Sequence, residues 1–209
     1  MLSLIADGND TDPCGGKQVG RLLDTLDRLN LWDHTLVIFI GDHGYHHNER
    51  SWWSKSTLFE RSCRVPCIVV APGAKKGQFC SSIVELVDLY PTIAEYCGVS
   101  AQHRLAGQSF GALLKNPERK GKEAAFTLVT RGQNHYGQSG RTERWRYTQW
   151  SDGNAELYDE LNDPQEVHDL SDDPAMATII EELKGQLAQV GPFQSAKLKP
   201  FLKLRRDRP

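Results

Sequence analysis

The sequence predicts an α/β protein, formed by the later strands and helices of a large, mostly parallel sheet and by a small antiparallel sheet with one helix. Three observations support this class. An amphipathic segment precedes a buried strand, as in the second half of a βαβ crossover. A further apolar run and another helical pattern follow. Beyond a charged linker, short alternating segments are separated by polar turns, which is typical of antiparallel sheets.

The first helix and strand are predicted from residue spacing. Apolar side chains recur at helical intervals at Val19, Leu22, Leu23, Leu26 and Leu29. The apolar run Leu36–Ile40 is rich in β-branched residues and is predicted as a fully buried strand. Residues 1–16 hold several Gly, Asn and Asp residues and are predicted as an irregular leader. We expect the ordered fold to begin at Lys17, with the first strand of the crossover outside the sequence.

The rest of the first domain, predicted over residues 17–120, holds a second strand and a second helix. The strand is predicted over Val65–Ala71, and a short helix over Lys55–Arg61 precedes it. The second helix is predicted over Val87–Tyr96, where Pro91 lies in the first turn and its missing N–H matters least. The charged linker Lys115–Glu123 is the clearest boundary in the sequence.

A small α+β subdomain is predicted over residues 121–196, and a basic tail over residues 197–209. The strands of the subdomain are predicted at Ala125–Val129, Arg144–Trp150 and Glu156–Asp159. An amphipathic helix is predicted over Met176–Val190.

Composition limits the classes of partner. The 209 residues carry a net charge of −2, and the pI is about 6.4, which disfavours a nucleic-acid surface. No apolar run approaches the roughly 20 residues of a membrane span. The first residues do not resemble a signal peptide, so we expect any export signal to lie upstream. The five cysteines form no metal-type spacing and are expected to be reduced.

The turn Gly41-Asp42-His43-Gly44 directly follows the predicted buried strand. Ligands bind at the carboxyl ends of strands in α/β sheets, so Asp42 and His43 are candidate metal ligands. Lys55 follows in an aromatic setting, where its compact cation can hold a tetrahedral anion. The residues alone allow two interpretations of this turn. It is either a cation site or a turn in which the Asp42 side chain accepts hydrogen bonds from backbone amides.

The order of motifs resembles the sulfatase family of the alkaline-phosphatase-like superfamily, and in particular its iduronate-2-sulfatase-like branch. The resemblance covers about Lys17 to Leu187. The matching stretches are Gln18–Asp24, Thr35–Gly44, Trp53–Glu60, Arg64–Pro66, Pro72–Gly73, Val87–Ala94, Leu105–Phe110, Arg144–Tyr147, Glu156–Asp159 and Asn162–Pro164.

The resemblance implies a divalent-metal-dependent sulfuric ester hydrolase that acts on a sulfated carbohydrate or another sulfate ester. It implies that Asp42 and His43 bind the cation, Ca²⁺ foremost with Mg²⁺ as the alternative. It implies that Lys55 contacts the sulfate and stabilises charge on the departing oxygen. Members of the family are often exported to the periplasm, the lysosome or the extracellular space.

Two departures from the family pattern concern substrate contacts and the nucleophile. Asn48–Ser51 stands where the family commonly has Gly-Glu-His-Gly, and Ser56 stands where a histidine often follows the lysine. The family's Cys/Ser-x-Pro-x-Arg motif, which carries formylglycine, does not occur in the sequence. We therefore expect the chain to be the C-terminal half of a sulfatase and inactive alone, needing its N-terminal half or associating with itself.

Two other functions remain open at this point. One is a phosphoesterase or phosphotransferase of the same superfamily, and the other is a non-catalytic fragment that binds a cation or a partner. His46 and His47 are interpreted as part of a solvated loop. Trp52 and Trp53 fit a sugar cleft and a packed loop equally well. A charged strand face is the preferred interpretation of the basic side chains Arg141, Arg144 and Arg146.

Overall fold

A computed structural model describes residues 2–6, 13–101, 103–132 and 135–190, with the backbone alone for residues 2–6 and 13–15. The α/β class is confirmed: a three-stranded sheet with helices precedes a four-stranded antiparallel sheet covered by a helix. The predicted basic tail over residues 197–209 lies outside the described residues. The division into domains stays a prediction.

The first sheet has the strand order β1-β2-β5. Strand β1 (Leu2–Ala6) runs parallel to β2 (Val37–Gly41), and helix α1 (Pro13–Arg28) connects them. Strand β5 (Cys67–Val70) pairs antiparallel with the other side of β2. The sheet within the described residues is therefore mixed, with one parallel and one antiparallel pair. Because β2 is central, its carboxyl end lies between two neighbours.

The prediction of an irregular leader over residues 1–16 is wrong where the structure describes it. Leu2–Ala6 forms β1, so the crossover has its first strand, and α1 begins at Pro13 rather than at Lys17. The turn-forming residues of the leader obscured the segment Leu2–Ala6, in which four of five side chains are apolar and which is long enough for a strand. Proline is well suited to the first helical position, because its missing N–H has no partner there.

One side of the first sheet packs against helix α3 (Leu89–Tyr96). A buried cluster of Leu36, Ile38, Ile40 and Ala71 contacts Leu89 and Ile93 of this helix. A capping box formed by Glu85 and Asp88 opens the 3-10 turn Leu86–Asp88, which leads directly into the helix. The short helix α4 (Gly111–Lys115) follows before the linker.

The second sheet is a meander with the order β6-β7-β8-β9. Its strands are β6 (Ala124–Arg131), β7 (His135–Thr142), β8 (Trp145–Trp150) and β9 (Ala155–Asp159). Helix α5 (Ala177–Gln189) covers one face, and its Leu183 and Leu187 pack on Tyr147 and Leu157. Three of the strands and the helix match their predictions. Strand β7 was missed, because its glycines and polar residues give no apolar alternation.

Short elements connect β2 with β5 around the predicted site. Strands β3 (His46–His47) and β4 (Trp53–Ser54) form a small hairpin, and helix α2 (Glu60–Cys63) follows. Helix α2 is shorter and later than the predicted helix over Lys55–Arg61. Single 3-10 turns occur at Trp32–His34, Glu49–Ser51, Leu86–Asp88 and Pro174–Met176. Among the helices described, none has both the length and the apolar character needed to cross a bilayer.

Candidate functional site

The candidate site begins where β2 ends. Gly41 closes the strand, and an added Cβ there would lie 3.2 Å from the side chain of Val65. Gly44 donates its backbone N–H to the carbonyl of Ser62 at 2.9 Å. A Cβ on Gly44 would lie 1.8 Å from the backbone oxygen of Arg61. The turn that carries Asp42 and His43 is therefore packed directly against helix α2, which only a glycine at position 44 permits.

The side chains of Asp42, His43 and Lys55 converge at this turn. The ammonium nitrogen of Lys55 lies 2.7 Å from Nε2 of His43. The carboxylate Oδ2 of Asp42 lies 3.6 Å from the same nitrogen. The backbone N–H of His43 donates to Oδ1 of Asp42 at 2.9 Å. One carboxylate, one imidazole and one ammonium group therefore share a small volume at the carboxyl end of β2.

The imidazole of His43 is oriented by its own turn. Its Nδ1 lies 3.0 Å from the carbonyl oxygen of Gly44. A carbonyl only accepts, so Nδ1 carries the proton and Nε2 carries the lone pair. Metal-binding histidines commonly use this arrangement, in which a backbone carbonyl fixes the tautomer. The lone pair of Nε2 therefore faces Lys55 and Asp42.

Asp42 and His43 fit as two ligands of one cation. Ca²⁺ binds oxygen at about 2.3–2.6 Å, so neighbouring ligands at roughly right angles lie about 3.3–3.7 Å apart. The 3.6 Å between Asp42 and His43 lies in that range. Side-chain exposures of 49% for Asp42 and 24% for His43 leave both groups accessible. Among the described residues, no group of three or more His, Cys, Asp or Glu side chains is arranged to hold a metal.

The interpretation of His46 as part of a solvated loop is wrong, although His47 is exposed. His46 is 1% exposed, and its Nε2 lies 2.9 Å from the hydroxyl of Thr57. Thr57 donates in turn to the hydroxyl of Ser62 at 2.7 Å. Burial lowers the pKa of His46, which keeps the ring neutral. His46 thus anchors the hairpin rather than serving as a ligand.

The loop between β3 and β4 has an unusual backbone. Asn48, Arg50 and Ser51 in the loop have φ angles of 85°, 55° and 57°, and Ser54 at the end of β4 has a φ of 102°. Residues other than glycine seldom adopt these left-handed conformations. The resemblance places Asn48 and Ser51 where the family commonly has glycine. The loop therefore keeps a glycine-like path without the glycines, at a cost in strain.

The interpretation of Arg141, Arg144 and Arg146 as a charged strand face holds in part. Arg144 pairs with Asp159 at 2.7 Å and is half exposed. Arg146 is only 2% exposed and lies among the carboxylates of Glu60, Glu160 and Glu166.

This buried ion cluster also includes Arg141, which lies 3.3 Å from both Glu60 and Glu160. Burial alone would raise the pKa of Glu60, but the charges of Arg146 and Arg141 outweigh it and the pKa is lowered. Burial raises the pKa of Glu166 to about 7. Sequence reasoning missed the cluster, because Glu60 lies more than 80 residues from its other members in the chain. The close spacing of Arg141, Arg144 and Arg146 in the sequence was the one available signal.

The loop, helix α2 and the segment after the second sheet line an open cleft of about 610 Å³, whose wall includes His43, Arg50, Phe59 and Glu166. The guanidinium of Arg50 lies 4.4 Å from the ring centre of Phe59. It also donates to the hydroxyl of Tyr158 at 3.2 Å. The cleft borders the Asp42–His43 turn and carries charges of both signs.

Residues 48–192 match the family described as N-sulphoglucosamine sulphohydrolase, C-terminal. The chain belongs to this sulfatase family. It is 29% identical over 170 residues to a sulfatase of Formosa agariphila, which covers 81% of this chain and 33% of that protein. It is 32% identical over 160 residues to human arylsulfatase K, which covers 71% of this chain and 30% of that protein.

A solved structure shares the fold of this sulfatase-family chain. The structure of BT4656 in complex with its substrate D-glucosamine-2-N,6-O-disulfate aligns with a TM-score of 0.77 and 25% identity. The alignment covers 83% of this chain and 37% of that one. The chain thus spans about a third of the length of the relatives it matches.

Proposed function

We propose that this chain forms part of the active site of a sulfuric ester hydrolase that acts on a sulfated carbohydrate. The observation that carries the proposal is the convergence of Asp42, His43 and Lys55 within 3.6 Å. Membership of the sulfatase family supports the reaction class. The substrate of BT4656, a sulfated glucosamine, supports the substrate class. The order of motifs in the sequence favours the iduronate-2-sulfatase-like branch.

Lys55 binds the sulfate group in this proposal. Its ammonium group is the compact cation nearest to the two proposed ligands, and it lies on the exposed side of the turn. A fixed positive charge beside the sulfuryl group stabilises the charge that develops on the departing oxygen. Lys55 is therefore the proposed catalytic residue of this chain.

Asp42 and His43 hold a divalent cation, with Ca²⁺ as the first choice and Mg²⁺ as the alternative. Such a cation supplies Lewis-acid polarisation of the sulfate and stabilises the nucleophile. The hydrogen bond from Nδ1 to Gly44 leaves the lone pair on Nε2, which would bind the cation in place of the Lys55 ammonium that lies 2.7 Å away in this structure. Residues 1–209 contain no Cys/Ser-x-Pro-x-Arg motif. The nucleophile is therefore proposed to come from outside these residues, and the chain alone is proposed to be inactive.

Cation binding is tested by titrating the 209-residue chain with Ca²⁺ and Mg²⁺ in a calorimeter. We expect Asp42→Asn and His43→Ala each to weaken binding at least about ten-fold, as loss of one ligand should. Glu49→Gln is the control, since this carboxylate is nearby but pairs with Arg61 at 2.9 Å. Equal binding by all variants would place the cation elsewhere and overturn the proposal.

The reaction class is tested with the product of the complete open reading frame on sulfated and phosphorylated aryl esters. We expect sulfate ester turnover that Lys55→Met abolishes and that Lys76→Met, at an exposed lysine in a distant turn, leaves intact. Preference for the phosphate ester would indicate a phosphoesterase. Binding of the cation without turnover of either ester would indicate a non-catalytic module.

A further inference from the structure

Arg131 lies at the end of β6 between two tryptophans. Its guanidinium carbon is 4.8 Å from the ring centre of Trp52 and 4.9 Å from that of Trp150. The ring of His135 stacks on Trp150 at 5.2 Å with an interplanar angle of 4°. We call these four residues the arginine–aromatic face. Three strands assemble it, because Arg131 pairs with His135 across β6 and β7, and Trp150 lies on β8.

The face is held in place before any ligand arrives. The indole N–H of Trp150 donates to Glu156 at 2.8 Å, which fixes that ring. Cation–π contacts on two rings restrict the guanidinium of Arg131, so little side-chain freedom remains to be lost on binding. A charged group that is already ordered binds its partner at a lower entropic cost.

Arg131 differs from the other arginines of the second sheet in its partners. Arg141, Arg144 and Arg146 each pair with a carboxylate. Within the part of the chain that the structure describes, no carboxylate lies within ion-pair distance of Arg131. Contacts with aromatic rings occupy the faces of a guanidinium and leave its N–H groups directed outward in the plane. Those donors match the two oxygens of a carboxylate or of a sulfate.

The face lies close to the proposed sulfate site. Trp52 and Lys55 are three positions apart in the chain, so their Cα atoms lie at most about 11 Å apart. Trp53 stands between them with 62% of its surface exposed. An exposed indole offers a flat apolar surface for a sugar ring. One short oligosaccharide is therefore long enough to reach both cations, and Trp53 offers it an exposed aromatic surface close to Lys55 in the chain.

We propose that the arginine–aromatic face binds a carboxylate or sulfate on a second sugar of a polyanionic oligosaccharide whose scissile sulfate lies at Lys55. The inference rests on the proposed function, since the sulfate bound at Lys55 determines which sugar of the oligosaccharide lies at the arginine–aromatic face. The ligand is an acidic polysaccharide rather than a single sulfated sugar. Arg131 acts as a specificity-determining residue, because it contacts a group remote from the reacting sulfur.

The test measures binding of three probes to the 209-residue chain by calorimetry at physiological ionic strength. The probes are a heparin tetrasaccharide, inorganic sulfate and the uncharged tetramer of N-acetylglucosamine. We expect Arg131→Met to weaken binding of the heparin tetrasaccharide about ten-fold, as loss of a charge-assisted contact should. Binding of inorganic sulfate stays unchanged in that variant. Arg131→Lys keeps the charge but loses the planar fork, and we expect it to restore binding only in part.

Two controls separate specific contact from general attraction and from misfolding. Arg119→Met removes an exposed positive charge outside the face and is expected to leave tetrasaccharide affinity unchanged. Circular dichroism checks that the Arg131 variants are folded, and Arg131→Lys covers the case in which the methionine variant is not. Equal weakening by Arg119→Met and Arg131→Met would overturn the inference, as would the absence of tetrasaccharide binding by the unsubstituted chain.

The outcome distinguishes this inference from the function on which it rests. If sulfate binding depends on Lys55 but tetrasaccharide binding does not depend on Arg131, the result supports the proposed function and contradicts the proposed role of the arginine–aromatic face. Sulfate binding that ignores Lys55, with tetrasaccharide binding that needs Arg131, would support an anion site on the face and contradict the role of Lys55.

Discussion

The carboxylate of Glu166 accepts a hydrogen bond at 2.8 Å from the backbone N–H of Glu60, across 106 residues of chain. Glu60 is the first residue of helix α2, and an acceptor at that end satisfies one of the unpaired helix donors. The same helix receives the Gly44 N–H at Ser62. A segment after the second sheet thus fixes the helix against which the Asp42–His43 turn is packed.

The first prediction concerns the buried cation of this junction. Arg146→Met removes the guanidinium that lies within 3.0 Å of three carboxylates, those of Glu60, Glu160 and Glu166. Unpaired buried charges typically cost 3–5 kcal/mol, so we expect a loss of about that size in the free energy of unfolding. Urea denaturation followed by fluorescence measures it. Arg144→Met, which breaks a half-exposed pair, should change stability little; similar losses in both variants would contradict the argument.

The second prediction concerns pH. Burial raises the pKa of Glu166 from 4.5 to about 7, so the folded protein binds a proton more tightly than the unfolded chain does. The stability from that proton is fully present below about pH 4.5 and is lost as the pH rises to about 7. One proton corresponds to at most about 1.4 kcal/mol per pH unit in this window.

Glu166→Gln should remove that dependence, because the amide is neutral at every pH and its oxygen can still accept from Glu60. The unsubstituted chain loses stability from pH 5 to pH 7 and the variant does not. We therefore expect the unfolding free energy of Glu166→Gln, minus that of the unsubstituted chain, to increase over this range and then to level off. Glu123→Gln, at an exposed carboxylate, serves as the control. A difference that is constant across this range would show that Glu166 is ionised throughout.

The sequence was sufficient for the elements that bury a regular apolar pattern. Strand β2 and helix α5 were predicted within one or two residues, because burial on both sides of a strand and on one side of a helix leaves a clear period. Strand β7 was not predicted, since its partners β6 and β8 determine its conformation rather than its own side chains. Gly137 of β7 is required by contact, because a Cβ there would lie 2.7 Å from Trp150.

The candidate site was predictable in its residues and only partly in its surroundings. Asp42, His43 and Lys55 are close in sequence and follow a buried strand, so local reasoning brought them together. The ion cluster around Arg146 depends on the packing of the second sheet against helix α2. The face around Arg131 depends on the contact between the second sheet and Trp52 beside the hairpin. No local pattern encodes which of several arginines meets a carboxylate and which meets a tryptophan.

The third prediction concerns strain in the loop beside the site. Ser51 has a φ of 57°, a conformation that costs a residue with a Cβ about 1–2 kcal/mol. Glycine adopts this conformation without strain, but a glycine also gives the unfolded chain more conformational freedom, which offsets part of the gain. We therefore expect Ser51→Gly to raise stability by about 0.5–1 kcal/mol. Thermal unfolding measures the gain. Ser56→Gly, in the same region but with no positive φ, should lower stability instead, and a loss in both variants would exclude strain at Ser51.

The fourth prediction concerns association of the chain with itself. Strand β5 is an edge of the first sheet in the described part of the chain, and Ile68 and Val70 on it are 58% and 36% exposed. Val69 faces the opposite way, into the buried cluster with Ile38. An apolar edge strand of this kind is a template for pairing with another chain.

Ile68→Lys places a charge on that edge, which natural sheets use to prevent pairing between edges. We expect the unsubstituted chain to associate in a concentration-dependent way and the Ile68→Lys variant to be shifted toward monomer, as measured by light scattering after size exclusion. Leu161→Lys is the matched control, because Leu161 is 65% exposed but lies in a turn rather than on a strand edge. We expect no change in that variant, since an isolated exposed leucine in a turn does not present a row of backbone donors and acceptors to a second chain. A monomeric unsubstituted chain that melts cooperatively would show that β5 is protected without any partner.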